Sequence, residues 1–387
     1  MKVYTNNRIP AKMWLEKIQP GAMEQVKDLT SLPFAFHHVA IMPDAHEGIG
    51  MPIGGVLATD AVVVPNAVGV DIGCGMCAIK SNLKASEMDR KQLTSIMRLI
   101  RAKIPLGMDH HKNLQDESLL PQGFEEEKMK VVSTQLTAAR HQVGTLGGGN
   151  HFIEIQKDTK DNVRVMLHSG SRNLGYKVAK YYADRAKWFN DKYYSQTVRG
   201  LEFLPIEEPT ASEYFDEMKY CIRFAFCNRS LMMNRICESI AEVMPKAKFE
   251  PMINIAHNYA AWENHFGKNV IVHRKGATRA YKGEIGIIPG SQGTASYIVK
   301  GLGNPESFMS CSHGAGRVLG RNQAINTLDL QTEINKLNAK GIIHAIRCKN
   351  DLEEAAGAYK DIEDVMYQQR DLVKPFVKLQ PLAVIKG

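Results

Sequence analysis

Val163-Arg164-Val165-Met166-Leu167-His168-Ser169-Gly170-Ser171-Arg172 holds the local pattern from which the chain is built. Val163–Leu167 is apolar and rich in β-branched residues, which predicts a short buried strand. The strand stops at a polar turn, where Gly170 permits a sharp bend and leaves His168 and Arg172 at its mouth. The same unit recurs on both sides. Val39–Met42, Val56–Thr59 and Ala61–Val64 predict strands upstream, and Val270–His273, Gly286–Ile288 and Tyr297–Val299 predict strands downstream, between Gly- or Pro-containing turns. Leu379–Ile385 reads as a final extended segment. Helical patterns separate these stretches: Lys84–Ala102, Glu125–His141, Glu353–Arg370, and a long run capped by Ser212. In that run Met218, Cys221, Ile222, Ala225, Met232, Ile236 and Ile240 fall mostly at helical spacing through Val243. Long helices alternating with glycine-rich strands predict the α+β class. With no repeat, low-complexity tract or linker, they predict a single compact domain over residues 1–387 whose loops converge on one site.

Hydrophobic residues make up 44% of the 387 residues and charged residues 23%, so the chain can bury a sizeable core and disorder is not expected. Lys and Arg total 49 against 41 acidic residues; the resulting charge of +8 suits a polyanionic partner without demanding one. The seven cysteines are odd in number and scattered, which argues against a secreted disulfide framework. No apolar signal core opens the sequence and no apolar run reaches membrane-spanning length. A cytoplasmic protein with reduced thiols is expected.

Five glycine-rich segments could carry chemistry. Asp71-Ile72-Gly73-Cys74 places a carboxylate and a thiol on one turn, a plausible ligand pair for a transition metal. Gly147-Gly148-Gly149-Asn150-His151-Phe152-Ile153-Glu154 brings a triple glycine, able to approach a phosphate closely, up to a histidine. The spacing is not that of a P-loop, and no P-loop occurs elsewhere. His168 stands at a strand end, and Asn254-Ile255-Ala256-His257-Asn258 supplies another imidazole. Ser312-His313-Gly314-Ala315-Gly316-Arg317 sets a histidine before two glycines and an arginine, a layout suited to a reactive imidazole beside a triphosphate. Imidazoles with a thiolate and a carboxylate suit Zn, Mn, Fe or Co, and ligand type alone does not choose among them. His37, His38, His110, His111, His141, His265 and His344 lack such settings and read as structural or surface residues. His273, beside Arg274-Lys275-Gly276, stays open between the two readings.

At these residues the chain resembles the RtcB family of RNA-splicing ligases. The resemblance runs nearly end to end: Asp44-Ala45-His46-Glu47-Gly48-Ile49-Gly50, then VGVDIGCGM, GGGNHFIE, HSGSR, HNY, RKGA, IPGS, GLGN, SHGAGR and the terminal Lys386-Gly387. It implies an α+β fold particular to that family, with GTP and two manganese ions as cofactors. It implies Asp71, Cys74, His151, His168 and His257 as metal ligands, with the Cys74 thiolate shared. His313 would attack the α-phosphate of GTP and carry GMP. Asn150, His151, Phe152, Ile153, Glu154, His257 and Asn258 would contribute to the nucleotide site. So would Pro289, Gly290, Ser291, Gln292, Ser296, Gly314, Ala315, Gly316 and Lys386. The implied partner is RNA whose broken ends carry a 3′-phosphate or 2′,3′-cyclic phosphate and a 5′-hydroxyl; the resemblance leaves open whether a helper protein takes part. Arg172, Arg274, Lys275 and Arg317 are candidates for holding that polyanion. A metallohydrolase would use the same ligands, and an RNA-binding protein without catalysis would need none of them.

Overall fold

The computed structural model describes all 387 residues. Two sheets organise it. The first has the order β1 (Lys2–Tyr4), β2 (Ala11–Met13), β3 (Ala35–His46), β4 (Ile53–Thr59), β12 (Lys268–Lys275), β11 (Asn258–His265). The second runs β10 (Ile253–Ala256), β6 (Gly75–Lys84), β8 (Asn162–Ser169), β7 (Phe152–Asp158), β17 (Val373–Lys386), β15 (Ser296–Gly301), β14 (Ile285–Ile288). Two small ladders join β13 (Ala277–Arg279) to β16 (Ser310–Ser312) and β5 (Val62–Val63) to β9 (Leu204–Pro205). Only β2 and β3 pair in parallel; the other ladders are antiparallel. The helices are α1 (Pro20–Ser31), α2 (Arg90–Lys103), α3 (Lys130–Gln142), α4 (Arg172–Lys192), α5 (Pro209–Val243), α6 (Arg321–Thr327), α7 (Leu330–Ala339) and α8 (Ile362–Gln368).

The second sheet curls until its edge strands β10 and β14 touch. Strand alternation then divides its side chains between two faces. Ile153, Ile155 and Leu167 point outward and pack on Ile96 and Ile100 of α2 and on Met232 and Ile236 of α5. Met76, Phe152, Met166, Ile287, Ile298 and Leu379 fill the concave side. A separate core gathers Leu174, Val178 and Tyr182 of α4 with Tyr214, Met218 and Phe224 of α5.

The expected strands lie inside observed ones except Ala61–Val64, of which only Val62–Val63 forms a strand. The helices depart more. Lys84 closes β6, and the helix that follows begins at Arg90, where Asp89 and Gln92 form a reciprocal capping box. The helix expected from Glu125 begins at Lys130. Ser212 is not a cap: α5 starts at Pro209, which suits the first helical position because the missing N–H needs no partner there. Glu353–Arg370 is broken into 3-10 turns at Lys349–Glu354 and Ala356–Ala358 before α8. The helix α4 has no counterpart in the sequence reading.

Candidate active site

Strand register gathers the ligands. The Cα partners Ala256↔Gly75, Gly75↔Ser169 and His168↔Phe152 align the ends of β10, β6, β8 and β7 along one rim of the second sheet. Asp71 and Cys74 enter β6 there, His151 enters β7, His168 lies near the end of β8 and His257 follows β10. Their donor atoms form a continuous chain. Asp71 Oδ2 lies 3.2 Å from His151 Nε2. Cys74 Sγ lies 3.5 Å from His151 Nε2 and 3.2 Å from His168 Nε2. His168 Nε2 lies 3.4 Å from His257 Nε2. Cys74, His151 and His168 by themselves form a compact candidate metal site.

The hydrogen bonds fix which ring nitrogens are free. His151 Nδ1 donates to Leu146 O at 2.9 Å and His168 Nδ1 to Asn150 O at 3.1 Å. A carbonyl only accepts, so both rings carry the proton on Nδ1 and turn the Nε2 lone pair towards Cys74. Burial lowers the His168 and His257 imidazoles well below their usual range, keeping them neutral. Burial also pushes the Cys74 thiol well up, helped by the neighbouring Asp71 carboxylate. Burial pushes the Asp71 carboxyl up as well, but its contacts with His151 and Cys74 outweigh burial and leave Asp71 below the usual range. Neutral imidazoles, an anionic carboxylate and a thiol that ionises on coordination form a donor set that fits a transition metal. The buried His257 Nδ1, without a hydrogen-bond partner, belongs to the same setting.

Two elements of α5 hold the rim in shape. Asn228 Oδ1 accepts from Gly144 N at 2.7 Å and Thr145 N at 3.2 Å, while its amide donates to Gly170 O at 3.0 Å. Arg229 donates to Gly73 O at 2.9 Å, Ser169 O at 2.8 Å and Asn254 Oδ1 at 2.7 Å. One helical turn thus ties together the loops that present four of the ligands. Gly170 must be glycine for a related reason: a Cβ there would stand 2.2 Å from Asp71 Oδ1.

Beside the cluster opens a cavity of about 750 Å³. Asn150, Phe152, Glu154, Pro289, Gly290, Ser291, Gln292, His313, Gly314, Ala315, Gly316 and Lys386 line it, as does His168. Ile153 does not, because alternation along β7 turns its side chain to the opposite face. Ser296 stands behind the wall, its Oγ accepting from Gly290 N at 3.2 Å. Asn258 serves the backbone: its amide donates to Asp71 O at 3.0 Å and its Oδ1 accepts from Gly276 N at 2.7 Å. Glu154 is buried in the cavity wall, and burial pushes its carboxyl up to about 7. The Lys386 ammonium lies 5.6 Å over the Phe152 ring and 3.8 Å from Glu354 Oε2.

His313 sits between cavity and cluster, its ring 4.8 Å from that of His257. Its Nδ1 lies 2.6 Å from Oδ2 of the fully buried Asp44. The same oxygen accepts from His313 N at 3.0 Å and Gly314 N at 3.2 Å. A carboxylate taking the Nδ1 proton bond leaves Nε2 of His313 with a free lone pair.

Asp44 was visible in the sequence only as part of a motif and not as the partner of His313. Asn228 and Arg229 were missed, although polar residues at core positions of α5 were the available signal. The four candidate cations differ in role. Arg274 is fully buried and paired with Glu263, so it cannot meet a polyanion. Lys275 is buried, held on Ile49 O and Asn66 O, and lowered to about 7 by burial. Arg317 is paired with Glu354 at the cavity wall. Arg172 is half-buried beside the cluster, its Nε bonded to Thr145 Oγ1 at 3.1 Å. His273 is structural: Nδ1 meets Leu57 O and Nε2 accepts from Val64 N.

Fold and site define a mixed α/β protein with a histidine-cysteine cluster that could hold a metal, adjoining a polar cavity, and with an oriented imidazole between them. The chain matches the family described as tRNA-splicing ligase RtcB over residues 25–387. It is 37% identical to RNA-splicing ligase RtcB1 of Escherichia coli strain Seattle 1946, over the whole of this chain and 99% of that one. It is 36% identical to RNA-splicing ligase RtcB of Escherichia coli strain K12, with the same coverage. Against tRNA-splicing ligase RtcB of Nanoarchaeum equitans the identity is 33%, over all of this chain and 95% of the relative. The chain therefore belongs to the RtcB family. No helix is long and apolar enough to cross a membrane.

Proposed function

We propose that the whole chain works as one domain, an RNA ligase that uses GTP and manganese. It would join an RNA 3′-phosphate or 2′,3′-cyclic phosphate end to a 5′-hydroxyl end, in the cytoplasm. The observation that carries this reading is His313: its Nδ1 is held on Asp44, and its ring stands between the cavity and the donor cluster. Asp71, Cys74, His151, His168 and His257 would hold two manganese ions, with Cys74 shared. When bound, such ions supply charge neutralisation and in-line placement of a triphosphate.

The chain's own residues account for the rest. His313 Nε2 attacks the α-phosphorus of GTP, a P–N bond forms, and the P–O bond to pyrophosphate breaks. The imidazole keeps its Nδ1 proton and becomes cationic, and the Asp44 carboxylate balances that charge. An oxygen of the RNA 3′-phosphate then displaces the imidazole and takes over GMP. The 5′-hydroxyl attacks the activated phosphorus, loses its proton and expels GMP. A 2′,3′-cyclic end must first be opened by water. Glu154 and Lys386 face the cavity as an acceptor and a donor, a pairing that matches the ring N–H and carbonyl of guanine and mismatches adenine.

The test is incubation with α-labelled GTP and manganese. An acid-labile label on His313 is expected, and none on His313→Ala, which should still bind metal. Phosphate release without label would select a hydrolase instead, and a label mapped elsewhere would overturn the assignment of His313.

A further inference from the structure

The helix α4 leaves the rim of the metal cluster at Ser171, whose N–H donates to Asp71 Oδ1 at 3.2 Å. Its buried side rests on α5 through Leu174, Val178 and Tyr182. Its exposed side carries two stripes with different charge. On one, Lys180 pairs with Asp184 at 2.7 Å and Lys187 with Asp191 at 2.6 Å, so the cations are neutralised. The other reads Lys177, Tyr181, Arg185, Trp188, Lys192, stepping by three or four residues and so lying along a single face. None of its three cations makes a salt bridge. Trp188 is 48% exposed and Tyr181 39% exposed. Arg185 Cζ lies 4.6 Å and Lys192 Nζ 5.0 Å from the Trp188 ring centre. Beyond the helix Lys192 also reaches Tyr193, 5.1 Å away and itself 55% exposed.

Tyr181 and Trp188 expose flat ring surface along the same face as three cations, and unpaired cations alternating with them repel one another. A polyanion with flat, stackable groups relieves both conditions at once. A protein partner rich in acidic residues would satisfy the cations only. From Lys177 to Lys192 the helix rises about 22 Å, enough for roughly four nucleotides of extended single strand.

We propose that this stripe of α4 is a binding platform for single-stranded RNA, which holds the strand leading to or from the joined end outside the cavity. The proposal rests on the ligase reading for the identity of the polyanion. Phosphates pair with Lys177, Arg185 and Lys192, and bases stack on Tyr181 and Trp188.

The experiment uses the full-length protein and a 12-nucleotide RNA bearing a 3′-phosphate. Two variants each remove two cations: Arg185→Gln/Lys192→Gln from the stripe, and Lys180→Gln/Lys187→Gln from the neutralised one. The first should weaken RNA binding by about tenfold or more, and the second by less than about threefold. Equal losses would reduce the effect to net charge and overturn the platform. Stacking is read separately, from tryptophan fluorescence. RNA should quench emission in wild type and in Trp262→Phe, and the quenching should vanish in Trp188→Phe. Trp262 is the matched control, since it is 51% exposed elsewhere. Inorganic polyphosphate, which has no bases, should compete without quenching. If it quenches as RNA does, or if Trp188→Phe still responds to RNA, base stacking is refuted. Failure of the ligase reading itself would show independently, as no label on His313 from GTP in the wild-type protein.

Discussion

Asp44 contributes one oxygen to three donors, and by holding His313 Nδ1 it leaves Nε2 as the free ring nitrogen. Asp44→Asn keeps the shape and an acceptor but removes the charge that balances a cationic phosphorylated imidazole. Guanylylation of His313 should slow by roughly 10²–10⁴-fold with metal binding unchanged; an unaltered rate of labelling would show that Asp44 only shapes the loop. Glu154 offers a pH test. Its folded value of about 7 means that the free protein holds a neutral carboxyl below neutrality. Accepting from a guanine N–H requires the carboxylate, so binding must release a proton there. Nucleotide affinity should rise about tenfold per unit from pH 5 towards 7 and level off above it. Glu154→Gln should bind weakly with no such slope; a slope that survives in Glu154→Gln would assign it to another group. The candidate ligands Asp71, Cys74 and His151 were readable in the sequence because they stand in or beside glycine-rich turns where packing does not ask for them. Asp44, buried in a strand, carries no such mark.

At the scale of elements, α5 does more than pack. Asn228 and Arg229 fall at its core positions, between Ala225 and Met232, and both are fully buried. Asn228→Ala would strand the N–H groups of Gly144 and Thr145 and the carbonyl of Gly170. Each buried unpaired group costs about 1–3 kcal/mol, so a loss of at least about 3 kcal/mol in urea denaturation is expected, with weaker metal binding. A change below about 0.5 kcal/mol would mean that the loops hold themselves. The strands that were read are apolar runs bounded by Gly- or Pro-containing turns, whereas the buried face of α4 mixes Gly175, two alanines and Asn190 with Leu174, Val178 and Tyr182 and gives little periodic signal. The segment after Glu353 failed for a different reason: Arg317 donates to Glu353 O and is bridged to Tyr359, and Gly357 N reaches Glu333, tertiary bonds that a regular helix would have to give up.

For the whole molecule, chain order and spatial order disagree. The last strand, β17, lies inside the second sheet between β7 and β15, with Ala383, Val384 and Ile385 buried. Removing residues 381–387 deletes Val384 and Ile385, about 1.5–3 kcal/mol each, and the smaller Ala383, together with the ladder that pairs Ile385 with Ile153. That approaches the full stability of a domain, on the order of 5–15 kcal/mol. The truncated chain should fail to give a cooperative melt by circular dichroism; a normal melt would make β17 an accessory strand. Neither the curl of the sheet nor this placement could be read beforehand, because pairing partners leave no trace in local pattern.

The rim that gathers Asp71, Cys74, His151, His168 and His257 also sets a timetable for the molecule's birth. Neither the N-terminal nor the C-terminal half of the polypeptide contains all five of these residues, and contacts so distant in sequence form slowly. Refolding in the presence of cobalt should therefore show the thiolate charge-transfer band only in the final kinetic phase, after helix content has recovered. A nascent chain on the ribosome would then hold neither an assembled donor cluster nor an imidazole oriented by Asp44 until its architecture is complete.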